Sequence, residues 1–472
     1  MTILKYPIAI LLGAAILGCA ATNSSPLKLT DATALSTPTA VGTAPMFAVS
    51  SAGKQAVAWV SAPNGGSDGR LYVSVAGAAP TEIRDTLGPI EVHGESPPKL
   101  AYAPNGSLIA VYIVGKEIPG QRFPLSALRV VTSSDDGKTW TAPVTVTDGD
   151  VFGSHSFHAL HAAADGSLYV AWLGKPDGPD SSVAPAKNVA KVKSVAAKSA
   201  DHDMANMPGM SGMGGMHSAS ASWITRSTDG GKTWSPRVRV DMGEACPCCR
   251  TGLATSKDGT LYMSWRHVFP GNIRDIVVAR SNDHGATWNE PVRVHTDDWK
   301  FDACPHAGPA IATDDNGTLH VTWWTGKEGS AGVYYAQSTD GGKTFSPAIP
   351  LGVAQYSRPA HVQMSLASNN RVVVTWDDGT KEVPQVVVRV SHDGGAHFSD
   401  PSVLSSAQRA ATFPVIGIAG DSLSIAWSEV SAASSKASAD ADAAAKAKDP
   451  KAAKGLESVG EAQVFVRRGV LQ

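Results

Sequence analysis

Residues 338–345 read Ser-Thr-Asp-Gly-Gly-Lys-Thr-Phe, and four other segments share their pattern of Ser, Asp two residues later, Gly and a closing aromatic residue. The four are SSDDGKTW at 133–140, STDGGKTW at 227–234, SNDHGATW at 281–288 and SHDGGAHF at 391–398. The pattern predicts a tight turn between two strands, with Asp capping backbone N–H groups, Gly at a positive φ and the aromatic ring packed into the sheet. Five copies indicate a chain built from repeated β-sheets.

A second repeat is a pair of strands that ends in an aromatic residue. It precedes each of the five octapeptides and occurs twice without one. Its aromatic ends are Trp59, Tyr112, Trp172, Trp265, Trp323, Trp376 and Trp427. The octapeptides resemble the Asp-box (BNR) repeats of sialidase-like β-propellers. We therefore predict an all-β, seven-bladed β-propeller with Asp-box turns; six blades, the usual number in sialidases, is the alternative.

The last repeat lacks an outer strand after AQVFVRR at 462–468. The segment LKLTDA at 27–32 is expected to supply it, because a propeller must protect the edges of its sheets.

The N-terminus has the features of an export signal. Lys5 precedes an apolar run that is too short to span a bilayer and ends in Ile-Leu-Gly-Cys at 16–19. These four residues resemble the lipobox of bacterial lipoproteins, which implies a signal peptide over 1–18 and lipidation of Cys19. In that family, Asp directly after the lipidated cysteine favours the inner membrane. Because this residue is Ala20 here, the resemblance implies an outer-membrane anchor facing the periplasm, with residues 19–26 as a tether. The alternative is an ordinary signal peptide with a chance cysteine.

Composition fits one exported globular domain over residues 27–472. The net charge is only −2 and 43% of residues are apolar, so nothing indicates nucleic-acid binding. Two low-complexity inserts interrupt the repeats, a Met/His-rich one at 180–220 and an Ala/Lys-rich one at 432–460.

One face of the propeller is expected to collect most of the reactive side chains. The innermost strand of each blade runs along the central axis, so residues just before it share a face with the loops between second and third strands. Soft metal ligands on this face are Cys246, Cys248, Cys249, Cys304, His155, His158, His306 and His361. Thiolate and imidazole favour copper or zinc over hard cations.

The first insert belongs to the same face. It carries Met204, Met207, Met210, Met213 and Met216, flanked by His202 and His217. Gly and Pro between the methionines argue against a packed helix. The segment resembles the Met/His-rich copper-binding segments of bacterial envelope proteins, whose thioethers suit Cu(I).

Simpler interpretations stay open for each group. Four cysteines in an oxidising compartment can form two disulfides, for example Cys246 or Cys249 with Cys304. Adjacent Cys248 and Cys249 fit this poorly, and one disulfide with two remaining thiolates is also conceivable. A single His more often satisfies hydrogen bonds than it binds a metal, and the Met segment can be a solvated linker.

A sialidase-type glycoside hydrolase is the alternative function that the resemblance implies. That chemistry needs an arginine triad, a Tyr nucleophile with its Glu, and an Asp acid/base. The family's first arginine is absent here, since the corresponding residues 96–98 read Ser-Pro-Pro. The residues left for the role are Arg250, Arg358, Tyr356 and Asp302.

The sequence favours a copper-handling propeller lipoprotein. Cys246, Cys248, Cys249, Cys304 and His306 would form an axial copper site, supported by His158 or His361, and the Met-rich loop would capture or deliver Cu(I). Zinc is the alternative metal, and a non-catalytic scaffold braced by disulfides is the second alternative function. Whether the protein is an enzyme stays open, with copper-dependent redox chemistry and glycoside hydrolysis as the two forms that catalysis would take. An envelope protein that gives or receives the ion is a further expected partner.

Overall fold

The computed structural model describes residues 27–37, 40–63, 68–119, 124–147, 151–176, 220–302, 304–431, 433 and 462–472. Cys19, the Met/His-rich segment at 202–217 and nearly all of the second insert lie outside them, as does the predicted signal peptide. Within the described residues, no helix has the length and apolar character needed to cross a membrane.

The described strands form seven antiparallel sheets. Two short N-terminal strands, β1 (Leu27–Leu29) and β2 (Thr33–Ala34), belong to the last sheet. Blade 1 contains β3 (Ala40–Val49), β4 (Gln55–Pro63), β5 (Arg70–Val75) and β6 (Thr81–Ile83). Blade 2 contains β7 (Lys99–Tyr102), β8 (Leu108–Lys116), β9 (Leu125–Ser133) and β10 (Val144–Thr145). Blade 3 contains β11 (Ser156–Ala162), β12 (Leu168–Gly174), β13 (Ala221–Ser227) and β14 (Val238–Arg239).

The fourth blade has a divided innermost strand, and the remaining blades return to the simple pattern. Blade 4 contains β15 (Glu244–Ala245), β16 (Gly252–Thr255), β17 (Leu261–Phe269), β18 (Ile273–Ser281) and β19 (Val292–Arg293). Blade 5 contains β20 (Ala310–Thr313), β21 (Leu319–Thr325), β22 (Ala331–Ser338) and β23 (Ile349–Ala354). Blade 6 contains β24 (Gln363–Ala367), β25 (Arg371–Asp378), β26 (Gln385–Ser391) and β27 (Ser402–Val403). Blade 7 contains β28 (Arg409–Ala419), β29 (Ser422–Ser431) and β30 (Gln463–Leu471) with β1 and β2.

The ring closes through the N-terminal strand, as predicted. Leu27, Lys28 and Leu29 of β1 pair with Leu471, Val470 and Gly469 of β30. Leu27 is buried in the apolar cluster between blades 6 and 7, which also contains Trp427. The first and last strands of the propeller are thus held in one sheet, which leaves β30 no open edge at this point.

The hydrophobic core lies between the blades. Seven apolar clusters of described residues join blade 1 to 2, 2 to 3, and so on round to blades 7 and 1. Second strands such as β8 and β21 are buried along almost their whole length, because both of their faces meet a neighbouring blade. All seven aromatic ends predicted from the repeats are buried. The seven-bladed prediction is therefore confirmed.

The Asp-box turns stabilise the outer part of five blades. In the first, Ser133 Oγ accepts a hydrogen bond from the N–H of Gly137 at 2.8 Å, and Asp135 accepts one from the N–H of Thr139 at 2.9 Å. Gly137 has a φ of 77°, so a side chain there would be strained. The same hydrogen bond, from a Gly N–H to the Ser Oγ, occurs in the turns that start at Ser227, Ser281, Ser338 and Ser391.

Candidate metal centre

The cysteine loop interrupts the innermost strand of blade 4. Strands β15 and β16 on either side of residues 246–251 both pair with β17, so the loop is fixed at both ends. The N–H of Cys246 donates to the carbonyl of Arg266 at 2.8 Å, and that of Thr251 to the carbonyl of Phe157 at 3.3 Å. The backbone therefore presents the three cysteines from a rigid position.

The three sulfur atoms of this loop are close together and buried. Cys246 Sγ lies 3.6 Å from Cys248 Sγ and 3.4 Å from Cys249 Sγ. Cys246 and Cys249 are fully buried, and Cys248 is 5% exposed. Together they form a small cluster of their own, which Cys304 and Phe157 contact.

A second group of donors adjoins the first. Cys304 and His306 come from the loop before β20 of blade 5, and their ligand atoms lie within 4.8 Å of Cys248 Sγ and of each other. Cys248 thus belongs to two three-donor groups. These four cysteines, the described ones, are free thiols in the structure. Cys304 is beside Cys248, whereas the disulfide interpretation paired it with Cys246 or Cys249.

Two buried arginines flank the sulfurs. Arg274 Nη1 donates to Cys246 Sγ at 3.0 Å. Arg266 is fully buried and donates to the carbonyls of Ala307, Arg274 and Trp324, which fixes the backbone next to His306.

The arginines and the neighbouring thiols set the ionisation of Cys246. Burial would raise the pKa of this thiol. Hydrogen bonds donated by Cys248 and Cys249, together with the positive charges of Arg274 and Arg266, hold its pKa well below the usual range instead. The cluster therefore favours a thiolate at Cys246.

Glu95 of the loop before β7 controls the ring of His306. Its carboxylate contacts His306 Nδ1 and leaves Nε2 as the other ring nitrogen. Burial alone would lower the pKa of His306, but the charge and hydrogen bond of Glu95 raise it to about 9. His306 also has a positive φ of 54°, an uncommon conformation for a residue with a side chain. A carboxylate that fixes one imidazole nitrogen is a frequent companion of a metal-binding His.

The two histidines expected to support the site do not join these donor groups. His361 Nδ1 contacts Asp377 Oδ2 at 2.6 Å, and its ring packs against Phe413 at 4.1 Å. His158 is fully buried and its Nε2 lies 3.3 Å from the carbonyl oxygen of Val111. Burial, followed by the charge of Lys99, lowers the pKa of His158 well below its usual value. His155 is also hydrogen-bonded elsewhere, with Nδ1 2.7 Å from the carbonyl oxygen of Ser126.

The four residues named for glycoside hydrolysis have different surroundings. Arg250 is 7% exposed, and its Nη2 is buried without a hydrogen-bond partner among the described residues. Arg358 is exposed and donates to the carbonyls of Lys381 and Glu382. Tyr356 is 47% exposed, and Asp302 accepts a hydrogen bond from Asn272. Of these four residues, Arg250 alone combines burial with a side-chain N–H group that has no partner among the described residues.

The Met/His-rich insert re-enters the described structure beside the cysteines. The N–H of Ala245, the residue before Cys246, donates to the carbonyl of Ser220 at 2.8 Å, and Ser220 Oγ donates to the carbonyl of Gly174. The predicted ligands of the insert, from His202 to His217, lie outside the described residues.

Sequence reasoning missed Glu95, Arg266 and Arg274 as parts of the site. A signal was present for the arginines. They occur in SWRHVF at 264–269 and NIRDIVV at 272–278, in the second and third strands of blade 4, and the middle strands of a blade are covered on both faces. A buried charge there requires a partner.

Comparisons with known proteins agree with this architecture. Residues 207–425 match the family model of the BNR repeat-like domain. The chain is similar to the crystal structure of a protein of unknown function from Dyadobacter fermentans DSM 18053, with a TM-score of 0.51 and 16% identity over 95% of this chain and 100% of that chain. At this identity the likeness concerns the fold alone.

Sialidases are also among the similar structures. The Hadza microbial sialidase Hz136 has a TM-score of 0.45 and 18% identity over 79% of this chain and 74% of that chain. The NanB sialidase of Streptococcus pneumoniae has a TM-score of 0.48 and 12% identity over 88% and 83%. No curated protein matches in sequence. The chain is a seven-bladed β-propeller with Asp-box turns and a sialidase-like fold, and its residues 207–425 match the BNR repeat-like domain.

Proposed function

We propose that this propeller binds and handles copper at the cluster of Cys246, Cys248, Cys249, Cys304 and His306. The observation that carries the proposal is the convergence of four free thiols and one imidazole from two blades. Thiolate and imidazole donors in a buried pocket suit a soft or borderline ion. Arg274 and Arg266 compensate part of the negative charge that thiolates would bring.

The grouping of the donors supports copper over zinc as the proposed ion. Structural zinc sites are almost always four-coordinate. Among the described residues, the donors form groups of three whose atoms all lie within 4.8 Å, and no group of four. A group of three donors rich in thiolate suits Cu(I), because soft thiolates select this ion.

The Met/His-rich insert supports capture or delivery of the ion. Its C-terminal end at Ser220 is hydrogen-bonded to Ala245, next to Cys246. His217 precedes Ser220 by three residues, and three extended residues span at most about 10 Å. Thioethers need no deprotonation to bind Cu(I), so the methionines at 204, 207, 210, 213 and 216 would hold the ion weakly and pass it to the thiolates.

The proposed location is the bacterial cell envelope, with Cys19 lipidated and the propeller facing the periplasm. The lipobox-like ILGC at 16–19 supports this proposal. In that compartment, an envelope protein would supply or accept the copper ion.

Elemental analysis with a free-thiol count tests the proposal. The mature protein, purified from bacterial envelopes grown with modest copper and zinc, should contain at least about one copper per chain and unpaired thiols after denaturation. A variant with Cys246, Cys248, Cys249 and Cys304 changed to Ser should lose tight copper. Full copper content in that variant would refute the site, and four oxidised cysteines without metal would support the disulfide-braced scaffold.

Glycoside hydrolysis is the second candidate, and Arg250 is the observation that favours it. Its Nη2, buried and without a hydrogen-bond partner in the described part of the chain, could bind an anionic group of a ligand. Release of a fluorophore from a sialoside, abolished in Arg250→Lys, would establish this activity. Absence of turnover by copper-free and copper-loaded protein would remove it.

A further inference from the structure

We infer that the cysteine cluster is a two-ion site in which the thiolate of Cys248 bridges two Cu(I) ions. The inference rests on the proposed copper function and adds its stoichiometry and ligand sharing. Its basis is that the donors fall into two groups of three, Cys246–Cys248–Cys249 and Cys248–Cys304–His306, with Cys248 common to both.

The first group matches one three-coordinate ion. Three donors about 2.3 Å from a central ion in trigonal geometry are separated by about 4.0 Å. The observed separations from Cys246 Sγ are 3.6 Å to Cys248 and 3.4 Å to Cys249. Movements of a few tenths of an ångström would therefore complete an all-sulfur site.

The second group offers a sulfur and nitrogen environment. Cys304 and His306 belong to the loop before β20, so this ion would join blade 5 to the cysteine loop of blade 4. Glu95 contacts His306 Nδ1, which leaves Nε2 as the ring nitrogen for the metal. The two ions would thus differ in ligands, one with three sulfurs and one with two sulfurs and a nitrogen.

Two Cu(I) ions leave less uncompensated charge than one. Four thiolates and the Glu95 carboxylate carry −5, two Cu(I) ions add +2, and Arg274 and Arg266 add +2, so a formal charge of −1 is left with His306 neutral. One Cu(I) would leave −2. One Zn²⁺ would leave the same −1, but it prefers four donors around one ion, and the described residues provide no such group. Binding needs no electron transfer, since Cu(I) displaces the remaining thiol protons to solvent.

Anaerobic titration of the whole protein with Cu(I), in competition with bathocuproine disulfonate, tests the inference. Met204, Met207, Met210, Met213 and Met216 are changed to Leu in every sample, so that the insert contributes no thioether. This background chain, with the five Leu substitutions and no other change, should bind two tight equivalents of Cu(I). Cys249→Ser and Cys304→Ser should each retain one, and Cys248→Ser none.

The outcomes separate the two proposals. One tight equivalent in the background chain, or the same loss in all three serine variants, would overturn the two-ion site and leave the copper function standing. No tight copper at all would overturn both. If Cys248→Ser fails to fold, judged by its circular dichroism, X-ray absorption of the protein loaded with two equivalents provides the second test of sharing. Two ions joined by one sulfur should show a copper–copper distance, and its absence would overturn the bridge.

Discussion

Arg274 on β18 holds its Nη1 atom 3.0 Å from the sulfur of Cys246, and both side chains are buried. This contact joins the third strand of blade 4 to the loop that divides its first strand. A guanidinium cannot lose its proton in a protein, so it provides a permanent positive charge for a thiolate.

Arg274→Met should raise the pKa of Cys246 and weaken Cu(I) binding about 10- to 100-fold, the equivalent of a hydrogen bond to a charged group. The pH dependence of the thiolate ultraviolet absorbance of the metal-free protein and a competition titration measure the two effects. Arg280→Met is the matched control on the same strand, since Arg280 donates to the carbonyl of Gly341. Equal behaviour of the two variants would show that the charge of Arg274 has no part in the site.

Glu95→Gln should lower the pKa of His306 in the metal-free protein. The wild-type value is raised to about 9, above the ordinary value near 6.5, because the carboxylate outweighs burial. The stability that the contact between Glu95 and protonated His306 contributes is fully present below about pH 6.5. It is lost as the pH rises through about 9. NMR titration of the His306 ring should show the fall in pKa, and exposed Glu290→Gln should leave it unchanged. A value still near 9 in Glu95→Gln would contradict the assigned contact.

Local repeats predict most of the fold, because each blade repeats the same turn and the same aromatic position. Trp59 and Trp427 could be assigned to their blades from sequence for this reason, and the shortage of one strand in the last repeat pointed to Leu27. The face that carries the cysteines follows from the topology of a propeller. Cys304 and His306 could be placed beside the cysteine loop for the same reason. Glu95 could not, because it belongs to the loop before blade 2, far from residues 246–249 in sequence. Only the tertiary structure brings such residues together.

Leu27→Ala should destabilise the propeller by about 2–3 kcal/mol, because the side chain closes the ring between blades 6 and 7. Denaturant unfolding followed by tryptophan fluorescence measures the loss. Leu87→Ala is the control, since that leucine is 41% exposed. If both variants unfold at the same denaturant concentration, the N-terminal strand does not close the ring in solution.

Ser338→Ala should cost about 1–3 kcal/mol, because it leaves the buried N–H of Gly342 without its acceptor. The change in thermal unfolding measures it. Ser51→Ala, in an exposed hairpin turn, should have little effect. No difference between the two would mean that this Asp-box hydrogen bond adds no net stability.

Acid should weaken the Asp-box turns in a defined range. Hydrogen bonds from Thr139 lower the pKa of Asp135 to about 2, and hydrogen bonds from His397, outweighing burial, bring that of Asp393 to about 2. A lowered pKa means that the stability is present above the unfolded value near 3.9 and is lost as the pH falls through about 2. Circular dichroism of metal-free protein should show unfolding midpoints that decline between pH 4 and 2. Midpoints that stay constant across this range would contradict the contribution of these carboxylates.

X-ray absorption at the copper edge of the Cu(I)-loaded protein tests the central claim most directly, because it reports the atoms bound to the ion. The account predicts a first shell dominated by sulfur at about 2.3 Å, with a minor nitrogen contribution and a copper–copper distance. This shell should disappear when Cys246, Cys248, Cys249 and Cys304 are all changed to Ser. A first shell of only nitrogen and oxygen, or a sulfur shell that survives in the serine variant, would contradict the copper site on the propeller axis.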